Sequence, residues 1–86
     1  MNVLKAMEET VALAYARGMK TSFDDSSIDF SHIDHMSNVM KRENMSYGKL
    51  CRWLGWAQAC VVASGVASLE DMKEINKRHA GEEYVR

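Results

Sequence analysis

Arg52-Trp53-Leu54-Gly55-Trp56-Ala57-Gln58-Ala59-Cys60-Val61-Val62-Ala63 is the stretch that decides the fold. It holds both tryptophans and one of the two cysteines, with the other just upstream at Cys51. It is apolar on nearly every side of a helix, and such a helix must be enclosed by other helices, its own chain's or a partner's. At 100° per residue, Leu50, Trp53, Leu54, Ala57, Cys60, Val61 and Ser64 fall on one broad side. That side is bulky and is the expected core, with Leu50, Trp53, Leu54 and Val61 as its main members. Gly48, Gly55, Ala59 and Val62 fall on the other side. They are small and allow a second backbone to come close. The neighbour is either the chain's own first helix, through Ala6, Ala14 and Gly18, or a second subunit. Trp56 sits at the edge, where a tryptophan suits a partner contact.

Helix signals surround this segment. A first helix is predicted over about residues 2–20, capped by Asn2, with Leu4, Met7, Val11 and Ala14 on one face. Residues 21–30 are rich in Ser and Asp and read as an acidic loop. A second helix is predicted from Ser31 to about Asn44, with Asp34 as its capping-box acid and Ile33, Met36 and Met40 as its apolar stripe. Ser46 caps the third helix, which ends at Gly65. Ser68 caps the fourth, with Asp71 in the box position and Leu69, Met72 and Ile75 along one side. Gly81 follows its last turn, and residues 82–86 are expected to fray. The expected fold is all-α: one domain over residues 1–86, a small bundle of about four helices, completed by dimerisation.

Composition narrows the function. The chain has 86 residues, no proline and a net charge of −1. A domain of this size buries roughly 60–65 % of its unfolded surface, so a partner subunit helps it. The near-neutral charge argues against a general nucleic-acid binder. Glu8 and Glu9 interrupt any signal-like apolar run, and no run approaches the ~18 residues of a membrane span. A cytoplasmic location with reduced thiols is expected. Charge is unevenly placed. Asp24, Asp25, Asp29 and Asp34 are followed by Lys41, Arg42, Lys49 and Arg52, an acidic loop beside a basic helix junction, either paired together or presented to a charged partner.

Chemistry-bearing groups are few. Asp29, His32, Asp34 and His35 lie close in sequence, and His32 and His35 share a helical face. No third histidine or glutamate base completes a metal pattern, so capping and solvated histidines, His79 included, are the expected reading. Cys51 and Cys60 lie on opposite sides of the third helix, unable to pair with each other, and are expected as small core residues. No nucleophile elbow, phosphate loop or carboxylate pair is present. Neither catalytic residues nor cofactors are expected, and the protein is not read as an enzyme. Residues 58–78 have the outline of a helix-turn-helix, which keeps a DNA-binding regulator as the alternative. Glu70, Asp71 and Glu74 stand where phosphates would be met, against Lys73, Lys77 and Arg78 in its favour.

The motif Arg52-Trp53-Leu54-Gly55-Trp56-Ala57-Gln58-Ala59, with Gly65-Val66 and Leu69-Glu70-Asp71-Met72-Lys73-Glu74-Ile75-Asn76, resembles a group of small proteins of tailed bacteriophages and prophages. The likeness spans about residues 31–79 and takes in His35-Met36 and Met40; the first thirty residues have no counterpart. It implies a phage origin and host-cell cytoplasm, and it supplies no mechanism. Short phage proteins often act by binding a host or phage protein. The expected function is therefore protein binding, as a homodimer, with Gly48, Gly55, Trp56, Ala59 and Val62 at the partner or dimer interface.

Overall fold

One helix organises the other three. In the computed structural model, which describes residues 1–21 and 28–83, helix α1 (Val3–Ala16) packs against α2 (Phe30–Arg42), α3 (Tyr47–Ala63) and α4 (Leu69–His79). The fold is all-α, as the periodicity predicts. Because α1 is covered from several directions, its buried set is wider than a single stripe. Val3, Ala6, Met7, Thr10 and Ala14 are buried, while Leu4 and Val11, expected at its centre, flank the core half-exposed.

Local chemistry sets the ends. Asn2 Oδ1 accepts the Lys5 amide at 3.1 Å, Ser46 Oγ the Lys49 amide at 3.2 Å, and Ser68 Oγ the Asp71 amide at 3.1 Å. Ser68 and Asp71 form the full reciprocal box, two otherwise orphaned amides satisfied together. Gly18 and Gly65 adopt φ values of 76° and 85° just beyond α1 and α3, the left-handed turn that a side chain disfavours. The second helix corrects the sequence reading. Its cap is Asp29, whose carboxylate accepts the His32 amide at 3.0 Å. Asp34 is exposed and caps nothing. An aspartate caps as well as a serine, so the helix begins one residue earlier, inside the stretch expected as loop.

The core is rich in methionine: Met7, Met19, Met36, Met40 and Met72 are buried beside Ile33, Leu50, Val61 and Ile75. Leu50, Leu54 and Val61 occupy the interior as expected. Trp53 does not. It is only half-buried on the edge of the core, with the Lys49 ammonium 5.5 Å from its ring centre. At the third-helix position just past Leu50, Cys51 is likewise half-buried, and only Cys60 is interior.

Thr10, Gln58 and Asn76 join three helices. Gln58 Nε2 donates to Thr10 Oγ1 at 3.2 Å and to Asn76 Oδ1 at 2.8 Å, and Asn76 Nδ2 donates back to Gln58 Oε1 at 3.0 Å. The Thr10 hydroxyl donates to the Ala6 carbonyl at 2.8 Å. Removing the amide leaves buried partners unpaired, at about 1–3 kcal/mol. Gln58→Ala should therefore lower the urea-derived stability by about 2–3 kcal/mol. A loss below half a kcal/mol would show that water replaces the amide freely.

Candidate functional site

The small side of α3 is open. Gly55 and Ala59 are exposed, and a Cβ built on Gly55 would meet no atom within 4 Å. At Gly48 it would meet only the Arg52 guanidinium, at 3.7 Å. Packing of this side against α1 is thereby ruled out. Ala6 and Ala14 of α1 are buried elsewhere in the core, and Gly18 serves a turn. The reason lies in how α4 is held. It docks on α1, and α3 packs on α1 and α2, so α3 and α4 diverge from their short connection. Between them runs a groove of about 480 Å³, walled by Gly55, Ala59 and Val62 on one side and by Leu69, Met72 and Asn76 on the other.

Four of the five residues expected at an interface share this neighbourhood. Gly55, Ala59 and Val62 line the groove, and Trp56 stands beside them at 48 % exposure. Gly48 lies a turn or two toward the start of α3, outside the groove. Leu69 is the residue the sequence misplaced. Expected inside with Met72 and Ile75, it is 59 % exposed and forms the groove's rim. The first residue of α4, it faces the open groove rather than the packed core. An apolar residue directly after a cap was the signal available for it.

The two side-chain amides of this mainly apolar groove are satisfied. Gln58 and Asn76 line it and are bonded to each other. Among the described residues, no buried side-chain nitrogen or oxygen lacks a partner. A polar small molecule thus finds no waiting donor or acceptor, whereas an apolar helix face loses little by entering.

Elsewhere, charges are committed to structure. Asp29 is buried and spends its carboxylate on the α2 cap. Beside it His32 and His35 border a shallow surface depression, and no group of three His, Cys, Asp or Glu among the described residues is arranged to hold a metal ion. The acidic and basic runs do not pair with each other among the described residues. Lys41 reaches Glu8 at 3.6 Å and Arg42 its neighbour Glu43 at 3.9 Å, while Asp24 and Asp25 lie outside those residues. Arg17 ties the end of α1 to the start of α4, bonding Asp71 at 2.8 Å and the Val66 carbonyl at 3.2 Å. The Ser68 amide, then Arg17, hold the Asp71 carboxyl below its ordinary range.

His79 is not solvated. It is 8 % exposed, with Nε2 2.7 Å from Glu9 and Nδ1 on Glu82. Glu82, expected to fray, is therefore pinned; the residues from 84 onward lie outside those described. Arg78 bonds the second oxygen of Glu9 at 2.6 Å. Two carboxylates can both accept from one ring only if both ring nitrogens carry protons.

Compared with protein-family models, curated proteins and solved structures, the chain has no match.

Two outcomes follow from this geometry. Gly55 lies mid-helix with open space around its Cα, so Gly55→Ala should raise stability by about 0.5–1 kcal/mol through helix propensity alone. A destabilised variant in thermal melts of dilute protein would mean that something already occupies that space. The second outcome concerns pH. The bond to Glu82, opposed by burial and reinforced by Glu9, raises the His79 pKa above 6.5. Its stabilising contribution is complete below 6.5 and is lost as pH rises through the higher folded value. In His79→Gln, the fall in stability across that alkaline-side window should flatten relative to wild type in melts taken through neutral pH. An unchanged slope would place the titration elsewhere.

Proposed function

We propose that this is a small phage accessory protein that acts by binding another protein and catalyses no reaction. One observation carries the reading: a helix with a closed apolar core side also presents an open, small-residue side with Trp56 and Leu69 exposed around a groove. Exposed apolar surface of this kind marks contact sites, and a groove between two helices accepts a third through its apolar face. The partner classes are a host or phage protein and a second copy of the chain, in the host cytoplasm. No helix among the described residues is long and apolar enough to cross a membrane. The phage origin rests on the resemblance of the segment from Arg52 to Ala59. The absence of catalysis is supported by the employment of the buried ionisable groups, Asp29 in a cap and His79 in ion pairs. A DNA-binding role gains less support, because the first turn of α4 presents Glu70 and Asp71, and Arg78 is held by Glu9.

Capture experiments test the reading. Immobilised wild-type protein should retain a specific protein, from host lysate or as its own tagged copy. Gly55→Leu should lose it while keeping its circular dichroism, since Gly55 is exposed and a Cβ there meets no atom of the chain within 4 Å. Equal retention by both proteins would move the contact off α3. Salt-sensitive retention on duplex DNA with no protein captured would favour the regulator instead.

A further inference from the structure

We infer that His79 is a pH-operated clasp: with both ring nitrogens protonated it ties the turn after α4 to α1, and on losing one proton it releases Glu82 and keeps Glu9. Two carboxylates from different parts of the fold meet this one buried imidazole. Glu9 comes from α1 and faces Nε2 at 2.7 Å, while Glu82 comes from the turn after α4 and faces Nδ1. A neutral imidazole donates through one nitrogen alone, and its bare nitrogen then points a lone pair at a carboxylate. One of the two contacts must therefore break when the ring loses a proton. The surroundings choose which. Arg78 holds Glu9 from a second side, with Nε at 3.1 Å and Nη2 at 2.6 Å. Glu82 has Lys5 beside it at 3.8 Å, in a pair open to solvent that contributes little. Glu82 also stands on a turn and can swing into water, whereas Glu9 is fixed within a helix. The neutral ring keeps its proton on Nε2, toward Glu9, and Glu82 leaves.

The release stops at the turn, because the rest of α4 is fastened by groups that do not titrate near neutrality. Its start is held by the Ser68–Asp71 box and by Arg17 on Asp71, whose carboxyl lies below its ordinary range. Its middle is held by the neutral amides of Gln58 and Asn76, the point at which α3 reaches it. Around the ring itself, Lys5, Glu8 and Glu9 of α1 border the depression beside His79, and Glu8 is engaged by Lys41 of α2 at 3.6 Å. From α4 come Arg78 and, on the flank that borders Met1, Glu74 and Lys77. The bond to Glu82 is the largest cause raising the His79 pKa, opposed by burial and followed by Glu9. The clasp is thus shut below 6.5 and opens as pH rises through the higher folded value. Little else then holds the turn. The Glu82 amide donates to the His79 carbonyl at 3.2 Å and the Ala80 amide to the Lys77 carbonyl at 3.4 Å, at or beyond the long end of the usual range.

A pH titration of the full, nitrogen-15-labelled chain by NMR tests this, with circular dichroism as the folding control. Ring nitrogen shifts should place the His79 midpoint above 6.5 and show the neutral ring protonated at Nε2. Through that midpoint the backbone order parameters of Gly81 and Glu82 should fall from about 0.85 to below about 0.6, while Ile75 stays near about 0.85. Glu82→Gln should remove the switch, since a carboxamide accepts from a protonated Nδ1 and donates to a bare one. In that variant the turn should stay ordered across the range, and the midpoint should move down toward 6.5. A turn that stays ordered through the wild-type midpoint overturns the clasp. A neutral ring protonated at Nδ1 overturns the choice of Glu82 as the group released. Loss of order at Ile75 together with Glu82 makes the whole of α4 the moving part and overturns the local device. A Glu82→Gln turn that still loosens with pH overturns Glu82 as the contact.

Discussion

The arrangement of α3 and α4 depends on one buried polar junction. The two helices follow each other in the chain yet touch little, and each rests on α1. What fixes their relative position is the pair of amides of Gln58 and Asn76, locked to each other and to Thr10. Apolar contacts tolerate sliding, but a reciprocal amide pair has one good geometry. The junction therefore holds the two walls of the groove at a set separation, and the open side of α3 inherits its shape from it. Arg17 and the Glu9–His79–Glu82 group do the same at the two ends of α4.

Much of this was legible in the sequence where the controlling interactions are local. Ser46 and Ser68 with Asp71 announce helix starts because a cap needs only residues three apart. Gly65 marks the end of α3 for the same reason. The two-sided character of α3 follows from spacing alone, and Leu50, Leu54 and Val61 could be placed inside it. Long-range features were not legible. Whether α1 or solvent covers Gly55 depends on where α4 docks, and no local pattern encodes that. Leu69 reads as interior by periodicity and is exposed because it faces the open groove between α3 and α4. His79 lies 70 residues from Glu9 and had no sequence signal linking the two. The start of α2 was misread for a different reason: Ser31 and Asp34 have the spacing of a capping box, but it is the Asp29 carboxylate that accepts the His32 amide.

The candidate site shows the same division. Gly55, Trp56, Ala59 and Val62 could be named as a group from their spacing, but not the groove that three of them line, because its second wall belongs to α4. The charge reading left mutual pairing and presentation to a partner both open; among the described residues Lys41 and Asp29 found partners in α1 and in a helix cap. Charged groups satisfy whatever lies within reach, and reach is set by the fold.

The five buried methionines carry a consequence of their own. An unbranched thioether has three rotatable bonds and settles into irregular gaps, so an interior built from it adapts readily to substitution but specifies its own packing weakly. Uniqueness must then come from elsewhere, and in this chain it resides in directional bonds among Thr10, Gln58 and Asn76. The usual order of tolerance is inverted. Core side chains of this protein can drift in sequence while the architecture persists, whereas a single exchange at a polar position shifts one helix against another. The same softness exposes the interior to oxidants. A sulfoxide at Met7, which is 1 % exposed, would set a polar oxygen inside the core, so oxidation there acts directly on the packing of α1 against its neighbours.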